Sequence, residues 1–80
     1  MSVASVDVQP LAVDVACSND KLHVTLADGR EIAVPLEWFP RLEDASPKIR
    51  KNWRLIGGGL GIHWETIDED ISVESLLRLR

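Results

Sequence analysis

Leu22-His23-Val24-Thr25-Leu26-Ala27-Asp28-Gly29-Arg30-Glu31-Ile32-Ala33-Val34-Pro35-Leu36 is the stretch on which the fold turns. Leu22, Val24 and Leu26 recur at every second position, and Ile32, Val34 and Leu36 do the same beyond Asp28-Gly29. A period of two places each set on one face of a strand. Asp-Gly suits the positive-φ positions of a tight hairpin, so the two runs predict antiparallel partners. Pro35 has no N–H for a ladder, so the returning strand is an edge or ends there.

Working backward, Ser18-Asn19-Asp20 is a polar turn, and Val13, Val15 and Cys17 alternate ahead of it. That phase makes Cys17 a small core residue. The three runs predict an antiparallel meander with one apolar and one wet face.

Forward of Glu37 the character changes. Pro40 to Ala45 reads as a helical turn opened by proline. Ser46-Pro47 reads as a second start, with Ser46 as N-cap. Ile49, Trp53 and Ile56 fall on one helical stripe; Arg54-Leu55-Ile56 as a strand leading into glycines is the alternative, and the favoured one. Gly57-Gly58-Gly59 frees the backbone for a turn, and Gly61-Ile62-His63-Trp64 reads as a short strand. Asp68, Glu69 and Asp70 lead into a last helix capped by Ser72. Its spacing, Val73, Leu76, Leu77 and Arg80, places Leu76 and Leu77 in the core, with Arg78 and Arg80 at its C-terminal end. The expected fold class is a single α+β domain over residues 1–80. It holds a small antiparallel β-meander of two to three strands, short helices, a second β-hairpin or short strand, and a C-terminal helix.

Composition narrows the function classes. Eighty residues bury roughly 60–65% of their unfolded surface, so the core is modest. Cys17 is the only cysteine, which rules out an intrachain disulfide and a multi-thiolate zinc site. Stability then rests on apolar packing, with a second copy of the chain as a further source. An apolar content of 45% argues against disorder. No apolar run approaches membrane-spanning length. The Met1–Pro10 segment has no basic residue and does not read as a signal peptide, and with the lone cysteine this predicts a cytoplasmic protein.

The net charge of −4 opposes bulk affinity for nucleic acid. It is unevenly spread. Residues 1–40 carry two cations against six acids, residues 41–64 five against two, and residues 65–80 two against five. The simplest expectation is that the basic middle pairs with its acidic flanks.

Reactive chemistry is thinly represented. Gly57–Gly61 matches neither the Walker nor the dinucleotide pattern. His63, Glu65, Asp68 and Asp70 could be drawn as a metal cluster, but alternation along a strand separates neighbours, and acids are expected ahead of a helix. His23 reads as a strand-surface residue. Cys17 with His23 or His63 is the only thiol–base option, and Glu65 with Asp68 has no spacing that marks acid–base work. No catalytic, cofactor-binding or metal-binding residue is therefore assigned, and no enzyme is expected. Trp38, Trp53 and Trp64 stand out beside one Phe and no Tyr. Such a set fits a tryptophan-rich core, or one exposed anchor at a protein interface.

Phe39-Pro40-Arg41-Leu42, Ala45-Ser46-Pro47, Asn52-Trp53-Arg54-Leu55-Ile56, Gly59-Leu60-Gly61-Ile62-His63-Trp64 and Asp68-Glu69-Asp70-Ile71-Ser72-Val73 with Leu76-Leu77 occur in that order. With the strand–Asp28-Gly29–strand opening they resemble the bacterial family of unknown function DUF2442, over about residues 10–78. The resemblance implies a small α+β domain and brings no catalytic residues. Some relatives are fused to a helix-turn-helix domain, for which this chain has no room. Others are encoded beside a second small family, DUF4160, an arrangement similar to toxin–antitoxin pairs. The leading expectation is a non-catalytic protein–protein interaction module, antitoxin-like in such a pair and contacting its partner through Trp38, Arg50, Arg54 and Trp64. The alternative is a small-ligand or nucleic-acid-binding regulatory module around Trp53, Gly61 and Trp64 with Arg50, Lys51 and Arg54. A small enzyme ranks third. The expected partners are the adjacent gene product or a second copy, with no membrane and no nucleic acid for this chain alone.

Overall fold

The computed structural model describes residues 10–78. Strands β1 (Ala12–Cys17), β2 (Lys21–Leu26) and β3 (Glu31–Pro35) form one antiparallel sheet in the order β1-β2-β3. Two short helices follow, α1 (Pro40–Glu43) and α2 (Pro47–Arg50). Strands β4 (Trp53–Ile56), β5 (Gly61–Trp64) and β6 (Glu69–Ser72) form a second sheet in the order β4-β5-β6, and α3 (Val73–Leu77) ends the described chain. The α+β class expected from the sequence is the one observed.

The first hairpin is closed by Leu26 N–H donating to Arg30 O at 2.8 Å. Gly29 alone takes positive φ, +94°, while the Asp28 carboxylate accepts the Arg30 backbone N–H at 3.0 Å and its Nε–H at 2.7 Å. Asp28 thus serves the turn through its side chain, and glycine supplies the left-handed backbone. Pro35 ends an edge strand, where its missing N–H costs nothing.

The apolar faces of both sheets share one core. Leu22, Val24, Leu26, Val34 and Leu36 meet Leu42, Ile62, Trp64, Ile71, Val73 and Leu76 there. No polar or charged residue is buried among the described residues. Both helix caps act as read. Ser46 Oγ accepts Ile49 N–H at 3.2 Å, and Ser72 Oγ accepts Ser75 N–H at 3.1 Å.

Three expectations are corrected. The ladder slips between Ala12 and Asp14, so Ala12 (2% exposed) enters the core while Val13 (54% exposed) turns outward. One extra residue in a strand inverts the alternation beyond it. The favoured strand reading of Arg54-Leu55-Ile56 is the one observed, since α2 ends at Arg50 and β4 runs from Trp53 to Ile56. Glu69 and Asp70 do not precede a helix: they belong to β6, a strand absent from the sequence reading. Leu77 is 38% exposed, since the five-residue α3 buries only the side carrying Val73 and Leu76.

The Gly57–Gly59 turn joins β4 to β5 and docks one sheet on the other. Gly59 has φ +111°, and a Cβ there would sit 2.6 Å from Ala12 O. The three glycines are therefore a structural turn whose last member lies against the backbone of β1.

Candidate functional site

Helix α2 is the ridge of the most distinctive surface. On one side, a pocket of about 340 Å³ lies between the end of β1, the β1–β2 turn, the start of α2 and Trp53. Val15, Cys17, Pro47 and Trp53 supply its apolar walls, Ser18 and Asn19 a polar rim, and Arg50 and Lys51 the charge. On the other side, an open groove of about 650 Å³ is lined by Ser46, Lys48, Ile49, Lys51, Asn52 and Thr66. Neither concavity has a carboxylate in its lining, although acids outnumber cations in the chain.

The arginines are largely occupied elsewhere. Arg30 pairs with Asp28, Arg54 with Glu65 at 3.3 Å, and Arg78 with Glu74 at 3.3 Å. Arg41 donates to Asp68 O at 3.1 Å and lies 3.9 Å from Glu69. The expected pairing of the basic middle with its acidic flanks therefore holds for Arg41 and Arg54. Lys21, Lys48 and Lys51 have no side-chain partner among the described residues. Lys21 shares its hollow with Asp20, Glu37 and Glu43, which neutralise it locally. Lys48 and Lys51 have no such neighbours in the lining of their groove.

Arg50 is half-buried and fixed in place. Its Nε donates to Leu42 O at 3.1 Å and its Nη2 to Glu43 O at 2.6 Å, satisfying carbonyls at the end of α1. Its own carbonyl accepts the Trp64 indole N–H at 3.1 Å. Trp64 is fully buried, so it belongs to the core rather than to the contact surface expected from the sequence. The physical reason is its place on the inner face of the middle strand of its sheet, paired with Trp53 and Glu69. Trp38 is half-buried against the core beside Phe39. Arg54 is exposed on the opposite face of the second sheet, across from His63. The four residues therefore do not form one patch.

That opposite face carries a chain of charges. Registers pair Arg54 with His63 and His63 with Asp70. His63 Nδ1 contacts the Asp70 carboxylate, and Nε2 lies 3.2 Å from Glu65, which also holds Arg54. Antiparallel pairing thus brings together three of the four groups considered as a metal cluster; Asp68 stays apart, at φ +50° in the turn. Among the described residues no group of three or more His, Cys, Asp or Glu side chains could hold a metal ion. The Cys17 thiol is pushed up by burial, an effect the nearby Arg50 charge offsets in part. No nucleophile activated by a lowered pKa is present there. No helix among the described residues is long and apolar enough to cross a membrane.

The model of a protein family of unknown function, DUF2442, matches residues 12–80. The chain belongs to this family. The crystal structure of a protein of unknown function from Rhodospirillum rubrum ATCC 11170, at 2.75 Å resolution, superposes on this DUF2442 domain with a TM-score of 0.73 at 33% identity. The match covers 85% of this chain and 84% of that one. None of the curated proteins matches.

In this DUF2442 domain the sequence signal for the site was the basic stretch opened by Ser46-Pro47. Arg50, Lys51 and Trp53, named for the small-ligand alternative, line the pocket of about 340 Å³, and Gly61, Trp64 and Arg54 do not; Trp53 opens β4 rather than continuing a helical stripe. Its pairing with Trp64 across β4 and β5 was available once the Gly57–Gly59 turn was taken as a hairpin.

Proposed function

We propose that the chain is a non-catalytic interaction module that docks an acidic segment of a partner protein in the groove beside α2. One observation carries this: among the described residues, Lys48 and Lys51 are unpaired, exposed cations in a groove without a carboxylate, on a chain of net charge −4. Uncompensated local charge of one sign pairs with a complementary segment and fixes its register. Ile49 gives such a segment an apolar footing. A nucleic acid is a poorer fit, because Lys48 and Lys51 would neutralise only a few of its phosphates. An antitoxin-like role in a two-protein pair, as implied by the family resemblance, is one form this docking takes.

The test is co-purification of the tagged full chain with the product of the adjacent gene. The wild type is expected to retain that protein, the double variant Lys48→Glu/Lys51→Glu to lose it, and Lys21→Glu to keep it. Failure of the wild type to retain it, or retention by the double variant, refutes the reading.

A further inference from the structure

The pocket on the other side of α2 has a different chemistry from the groove, and its occupant stands whether or not a protein docks beside it. We propose that the pocket between β1, the β1–β2 turn and Trp53 binds a small free carboxylate bearing an apolar, ring-sized body. Three observations converge on that class.

Its charge selects an anion. Lys51 has no partner among the described residues, and no acid lines the cavity. Arg50 spends two of its donors on Leu42 O and Glu43 O. A guanidinium has five, so three remain on a group already held in place. A pre-oriented Arg beside a Lys suits a planar monoanion. Among the described residues no glycine lines the pocket, so it lacks the glycine-rich loop that cradles a phosphate dianion.

Its walls select an apolar body. Val15, Pro47 and Trp53 line the cavity, and the Cys17 thiol behaves there as a small hydrophobe. Its size suits a small molecule. At ~30 Å³ per water the 340 Å³ volume equals roughly eleven waters, enough for one ring and a short acid arm. A bare inorganic anion leaves the apolar walls unused.

The experiment titrates the isotope-labelled full chain with 3-phenylpropionate, its neutral amide and inorganic phosphate, read by amide and indole NMR shifts. Saturable shifts are expected at the Trp53 indole N–H and at the Cys17 and Lys51 amides. Binding of the amide should be weaker by about tenfold or more, and phosphate should leave the Trp53 indole unmoved. Lys51→Glu should weaken 3-phenylpropionate by about tenfold without moving the unfolding midpoint, since Lys51 is exposed. Lys48→Glu faces only the groove: it should impair partner docking and leave this titration unchanged, which separates the two proposals. Unsaturable shifts up to 10 mM, shifts scattered over the surface, equal binding of acid and amide, or the same shifts with phosphate would each overturn the assignment.

Discussion

Replacing Gly59 by alanine probes the contact that seats one sheet on the other. Gly59 holds φ +111°, a region in which an alanine is strained by about 1–2 kcal/mol. The added Cβ would also stand 2.6 Å from Ala12 O and 3.1 Å from Ala12 N. Those are backbone atoms of β1 and cannot swing aside, so β1 or the turn must shift, at about 1–3 kcal/mol more. The sum, about 2–5 kcal/mol, is a large share of the roughly 4–12 kcal/mol expected of an 80-residue domain. Gly58 is the internal control: its φ is +70° and a Cβ there meets nothing within 4 Å. Alanine at Gly58 bears only the local strain, partly offset by the lower entropy of its unfolded chain, a net cost of about 1 kcal/mol or less. Urea unfolding followed by tryptophan fluorescence measures both variants, because the buried Trp64 becomes solvated on unfolding. Equal midpoints for the two, within about 0.5 kcal/mol, would show that Gly59 is not pressed against β1 and would sink the reasoning.

Other outcomes follow from the same contacts. Trp64→Phe should cost about 2–4 kcal/mol in urea unfolding, from the cavity it leaves and the unpaired Arg50 carbonyl. Val13→Thr should change stability by less than about 0.5 kcal/mol and Val15→Thr should cost about 1–3 kcal/mol, because the slip near Ala12 leaves only Val15 inside; equal effects would refute that slip. Ser46→Ala and Ser72→Ala should each cost about 1 kcal/mol in the same assay. Asp28 is held below the usual carboxylate range, first by the Arg30 backbone N–H and then by the Arg30 side chain. Its contribution is therefore present above the ordinary Asp pKa and is lost as pH falls through the lowered folded value. Acid unfolding of Asp28→Asn should show a shallower pH dependence in that window. The Cys17 thiol, raised by burial, should react with iodoacetamide in the folded chain only on the alkaline side of a free thiol, as read by intact mass.

Much of the local structure was legible. Alternation and Asp28-Gly29 named the first hairpin, Ser46 and Ser72 named two helix starts, and the three glycines named a turn. Each is a short-range effect in which a side chain bonds to the backbone a few residues away or a backbone needs a particular φ. The site was legible only as charge: the stretch from Lys48 to Arg54 is basic in any conformation. What it could not disclose is that Arg50 would be spent on carbonyls of α1 while Lys48 and Lys51 stayed unpaired. Nor could it disclose that Trp53 would share a pocket with Val15 and Cys17, more than thirty residues away.

Those outcomes depend on what each face meets. Val13 and Val15 are the same residue type, and only the slip in pairing with β2 separates outside from inside. Trp53 and Trp64 sit opposite one another, yet the middle strand buries one while the edge strand leaves the other half-open. Leu76 and Leu77 differ by one helical step, and only the side of α3 toward the sheets decides which is covered. The amino-acid sequence determined the strands of the first sheet, the turns and the caps, because those choices are settled within a few residues, whereas β6 forms only because β5 offers it an edge. Burial, and with it the pocket and the groove, was decided by the tertiary structure, because exposure belongs to the space between elements rather than to any one of them.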